Sequence, residues 1–119
     1  MEKLKINLVA ETTEIEFKEN IEYNKPKSWL KTVSAFSNGI GGIIYFGVND
    51  NREIIGLDDI QKHIEKISEI IKTKIEPLAN FNISVITQKN KDVIRLEIIQ
   101  GTKTPYYYVS DGNKIVFVR

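Results

Sequence analysis

The sequence predicts an α+β domain: a mixed sheet of about six strands packed against two main helices. Three observations carry that expectation. Two segments repeat apolar residues at helical spacing. Several others alternate apolar and polar residues at strand spacing, and turn residues separate them. The order is strand, helix, strand, short strand, helix, then three or four strands, with no repeat, linker or low-complexity stretch between them.

The elements follow in order. "EIEFK" places Ile15 and Phe17 on one face and Glu14, Glu16 and Lys18 on the other, the pattern of a half-buried strand. Pro26 breaks the chain, and Ser28 is the expected N-cap of the next segment. In "SWLKTVSAFSNG", Trp29, Val33 and Phe36 recur at helical spacing, Leu30 lies beside Val33, and Asn38 and Gly39 supply a stop. Ile43 to Val48 is apolar on both faces, as a central strand requires. "NDN" reads as a turn and "EIIGL" as a short returning strand. From Asp58 to Pro77, Ile60, Ile64, Ile67 and Ile71 form one stripe of a second helix with an acidic first turn. "FNISVITQ" and "DVIRLEII" form a hairpin through "KNK", and "TPYYYVSDGNKIVFVR" forms another through "DGN".

The bulk properties bound the function. A chain of 119 residues is the size of a single domain, 1–119. With 41% hydrophobic and 28% charged residues it has an ordinary globular composition. There is no cysteine, which excludes disulfides and thiolate zinc sites and fits a cytoplasmic setting. No apolar run approaches the ~18 residues of a membrane span, and the N-terminus lacks a signal core. The net charge of +1 leaves any nucleic-acid footprint to the placement of the lysines rather than their number. "KIVFVR" ends in mid-strand pattern, so we expect the domain to be the N-terminal part of a longer chain.

Four features carry candidate chemistry, each beside a structural alternative. "SNGIGG" could offer backbone donors at Gly41 and Gly42 to a phosphate. Its order, helix then glycines then strand, is the reverse of nucleotide-binding loops, so a helix stop and a tight approach to the strand explain it better. Glu11, Glu14, Glu16, Glu19 and Asp50 form an acidic set able to serve magnesium or manganese, or simply a solvated face. Lys18, Lys25, Lys27, Lys31 and Lys103, with Tyr106–Tyr108, could meet phosphates and bases. The alternatives are a solvated helix face for the lysines and sheet packing for the tyrosines. His63, without a second histidine or a nucleophile near it in sequence, reads as a flank of the core stripe.

Taken together, "ETTEIEFKEN", "VSAFSNGIGGIIYFGVNDN", "EIIGLDD" and "TPYYYV" resemble the Schlafen-type AlbA-like domain, also described as a divergent AAA or DNA-binding domain, from about residue 11 to 119. The resemblance implies a nucleic-acid-binding module of a bacterial transcriptional regulator. Related cores in animal Schlafen proteins cut structured RNAs with three carboxylates, whose positions are held here by Glu11, Glu16 and Asp50. That implies, as an alternative, a magnesium- or manganese-dependent endoribonuclease. Asn49 departs from the acidic residue common before the aspartate, and the animal nucleases use two such lobes. A third expectation is a scaffold that forms a homo-oligomer through its terminal strand.

Overall fold

The computed structural model describes residues 2–6 and 14–119. Strands β1 (Ile15–Lys18), β2 (Gly42–Phe46), β4 (Phe81–Gln88) and β5 (Lys91–Ile98) form a mixed sheet in the order β1-β2-β5-β4. β1 runs parallel to β2; the other pairs are antiparallel. A second sheet joins β3 (Ile75–Glu76), β6 (Tyr107–Ser110) and β7 (Asn113–Val116) in the order β3-β6-β7. Helices α1 (Lys27–Asn38) and α2 (Ile60–Lys74) complete the fold. The α+β class and both helices agree with the sequence reading. The difference is that seven strands split into two sheets instead of about six in one.

α1 explains the split. Trp29, Leu30, Val33 and Phe36 pack into one buried cluster with Ile44 and Phe46 of β2 and Ile94, Leu96 and Ile98 of β5. Its other side carries the small polar residues Ser34 and Ser37, and these are fully buried too. Ser34 Oγ donates to the Tyr106 carbonyl at 2.8 Å, and the Phe117 amide donates back to it at 3.3 Å. Asn38 extends this seam: its Nδ2 donates to the carbonyls of Tyr106 and Phe117, and its Oδ1 accepts from the Tyr106 amide at 2.6 Å. The helix is therefore covered by one sheet on each side.

The opposite face of the larger sheet holds a second cluster of Ile43, Tyr45 and Val93, closed by Leu4, Val48 and Ile54. Both hairpins turn on two residues with positive φ, Lys89-Asn90 and Asp111-Gly112, as tight hairpins require. Four local expectations are corrected. Ser28 is the second residue of α1 rather than its cap, because the helix starts one residue earlier at Lys27. "EIIGL" contributes only the isolated bridges Val48↔Ile54 and Lys3↔Glu53. Asp58 and Asp59 precede α2 instead of forming its first turn, with Asp59 left-handed at φ 49°. α2 stops at Lys74, since Ile75 leaves the helical region to pair with Tyr108. No described helix is long and apolar enough to cross a membrane.

Candidate nucleic-acid interface

The chain from Glu19 to Pro26 leaves β1 and enters α1, and it forms the common lip of three adjoining depressions. At one end, Lys25, Lys27, Ser28 and Lys31 of the α1 start meet Lys74 at the end of α2 and Tyr108 and Ser110 of β6 around a groove of about 550 Å³. Four lysines line it and, among the described residues, no carboxylate does. Lys27 and Lys31 are one helical turn apart and both are exposed. The first turn of α1 adds the positive end of the helix dipole. Like charges that share a groove without a counter-charge repel one another, and an anion between them removes that repulsion.

The middle depression, about 660 Å³, is lined by Asn20, Ile21, Glu22, Tyr23, Asn24, Lys25, Leu57 and His63. Tyr23 Oη and His63 Nδ1 share a hydrogen bond of 2.6 Å, and the two rings are nearly parallel. Lys66 lies 5.0 Å over the Tyr23 ring. Burial raises the Tyr23 hydroxyl above its ordinary pKa.

The far depression, about 420 Å³, is lined by Phe17, Lys18, Glu19, Asn20, Glu22 and Asp50. Asp50 is exposed in a turn fixed by Asn49, whose Oδ1 accepts from the amides of Asn51 and Glu53. Glu16 has different surroundings. Its Oε2 accepts from Thr32 Oγ1 at 2.7 Å, and its Oε1 faces Arg119 at 3.5 Å. Arg119 also holds Glu14 through Nε and NH2, both at 3.0 Å, and caps the Phe36 ring at 4.9 Å. Glu11 lies outside the described residues. Among the described residues no three acidic or histidine side chains converge as metal ligands. Glu16 is held by Thr32 and Arg119, whereas Asp50 is exposed in its turn and lines a different depression.

The sequence-derived residues thus separate. Lys25, Lys27 and Lys31 come together; Lys18 belongs with Asp50; Lys103 is exposed on the loop after β5, where its amide donates to Tyr106 Oη. Gly41 and Gly42 are buried. The Gly41 amide donates to the Phe36 carbonyl, and a Cβ there would lie 2.6 Å from the Ile98 carbonyl oxygen. A Cβ on Gly42 would lie 2.5 Å from the Phe36 ring. Tyr106 and Tyr108 are core and Tyr107 is half-buried. Sequence reasoning missed Lys74; the only signal was a basic residue closing the α2 stripe.

A family model described as Schlafen, AlbA_2 matches residues 11–119. An uncharacterised ATP-binding protein of Ureaplasma parvum serovar 3 is 34% identical over 89 residues, 70% of this chain. The chain spans only 24% of that relative's length. Among solved structures, the N-terminal domain of a RecG-related protein from Nitrosomonas europaea superposes with a TM-score of 0.64 at 19% identity, over 90% of this chain and 76% of that one. A Corynebacterium diphtheriae protein gives 0.62 at 21% identity, over 88% of this chain and 23% of that one. At these identities the two structures show the fold.

Proposed function

The chain belongs to the Schlafen AlbA_2 family, and from that premise we propose that it is a nucleic-acid-binding module of a bacterial regulator of transcription, docking the strand in the lysine groove. The observation that carries this reading is the convergence of Lys25, Lys27, Lys31 and Lys74 on one groove with no acidic lining residue. Phosphates are the anions that such a groove suits: lysines neutralise them as point charges, and release of counterions from the strand drives the association. Ser110 and Asn24 add neutral polar atoms along the same wall. The groove is shallow and sits on a helix start, so contact with the backbone, rather than base reading, is its first task.

The test is fluorescence anisotropy of a labelled oligonucleotide between roughly 50 and 200 mM salt. Binding is expected to weaken steeply as salt rises. The double substitution Lys27→Glu with Lys31→Glu is expected to abolish it while leaving the circular dichroism spectrum unchanged. Salt-independent binding, or binding that survives the double substitution, contradicts the reading. Adding ATP as a competitor tests whether the activity in the Ureaplasma protein's name resides in this domain. Cleavage that depends on added manganese would instead favour the endoribonuclease alternative.

A further inference from the structure

Resting on that reading and going beyond it, we propose that the depression around Tyr23 and His63 is a nucleobase site. It takes an unpaired base from a single-stranded segment whose phosphates follow Lys25 into the lysine groove.

The geometry begins with continuity. Asn24 and Lys25 line both depressions, so a strand whose backbone lies on Lys25 and Lys27 has the aromatic depression directly beside it. The lining chemistry differs sharply across that boundary. The groove offers cations to phosphate. The neighbouring depression offers an aromatic ring, an imidazole, two amide side chains and the Glu22 carboxylate, an acceptor for base amino groups, with Ile21 and Leu57 as apolar wall and Lys25 at the boundary. Its volume of about 660 Å³ suits a small planar ligand. Rings supply a stacking face to any base, and Asn20 and Asn24 supply donors and acceptors for base edges.

The site is also held in place. The 2.6 Å bond between Tyr23 Oη and His63 Nδ1 ties the lip segment to α2, and Lys66 lies over the Tyr23 ring. Tyr23 belongs to the loop and His63 and Lys66 to the helix, so the loop is fixed without a bound strand. A pre-fixed ring loses little conformational freedom on stacking. Regular duplex keeps its bases paired and stacked inside, and presents only its backbone to a depression of this kind. The arrangement therefore favours unpaired segments, of DNA or RNA alike.

Three labelled probes of equal length test this: a single strand, the same strand with abasic sites, and the blunt duplex. The wild-type domain is expected to bind the base-bearing strand about 5- to 100-fold more tightly than the abasic one, the range of one stacked base. Tyr23→Leu keeps the apolar packing and removes the ring. It is expected to erase that ratio, and His63→Ala is expected to reduce it. Comparing deoxy and ribo versions of the strand tells which sugar is accepted. Equal wild-type affinity for base-bearing and abasic strands overturns the base site while the groove reading survives. A ratio that persists in both variants places base contact elsewhere and overturns it too. Failure of all three probes to bind overturns the groove reading together with it. A variant that loses abasic binding as well has lost its fold or released the loop that carries Lys25, and the ratio in the other variant then decides.

Discussion

The lysine groove and the Arg119 knot are both dense in charge, yet they are organised in opposite ways. In the knot, Glu14 and Glu16 share the guanidinium of Arg119, Thr32 fills a further acceptor site, and Phe36 backs the cation. Its electrostatic demand is met within the chain. In the groove, four lysines face one space, and none forms an ion pair among the described residues. Lys27 lies 5.9 Å over the Phe117 ring, and the remaining demand is left for something else to meet. A net charge of +1 averages these two regions into near-neutrality and conceals both. The comparison teaches that abundance of carboxylates or lysines says little, whereas the presence or absence of an internal partner says where a ligand belongs.

The largest expected effect would break the comparison outright. Lys74→Glu, at the site sequence reasoning missed, should weaken oligonucleotide binding at least tenfold at low salt and flatten the slope of log affinity against log salt by about 0.7 for a single strand. Lys103→Glu should change neither quantity, because Lys103 lies outside the groove lining. Equal effects from both would mean that net charge, not the groove, drives binding.

Next in size is Gly41→Ala, beside the knot. Its φ of +86° and the contact with the Ile98 carbonyl oxygen should cost about 2–3 kcal/mol in denaturant unfolding. Affinity per folded molecule should stay the same, since the knot is not the binding surface. A stable variant with lost binding would return Gly41 to the phosphate role that the sequence left open.

Smaller again is Glu16→Gln. The pair with Arg119 is partly solvent-exposed, so its loss should lower stability by no more than about 1 kcal/mol. Nucleic-acid affinity should hold or rise slightly, as a nearby negative charge is removed. Loss of a metal-dependent activity in this variant would shift weight from the groove to the carboxylates.

The smallest effect sharpens the middle depression. The folded-state pKa of Tyr23 is raised by burial, so its neutral form is favoured in the native state. The resulting stability is complete below the unfolded value of about 10 and is lost as pH rises through the raised folded value. Tyr23→Phe should remove that part of the alkaline decline in melting temperature. An unchanged decline would mean that the hydroxyl is solvated.

How much of this was legible in the sequence depends on range. The apolar periodicities gave α1, α2 and both hairpins, because those signals are local. The second sheet was not legible. The apolar stripe of α1 does not mark Ser34, Ser37 and Asn38 as a second buried side, but their small size lets β6 and the Phe117 segment approach α1 closely and bond to Ser34 and Asn38. β3 is only two residues long and is set by its pairing with β6, so no periodicity marks it. In the site, Lys25, Lys27 and Lys31 were legible as neighbours in sequence. Lys74 and the Tyr23–His63 pair were not, because only the packing of α2 brings them to the lip segment. The carboxylate positions were legible as a pattern; Arg119 as the partner of Glu14 and Glu16 was a tertiary fact.

The most direct measurement is a titration of ¹⁵N-labelled domain with a short single-stranded oligonucleotide, followed by amide chemical shifts. The account predicts that the shifts concentrate at Lys25–Lys31, Lys74, Tyr108 and Ser110, fade as salt is raised, and leave Glu14, Glu16, Thr32 and Arg119 in place. Shifts centred on Glu16 and Arg119, with the lysine groove silent, would contradict it.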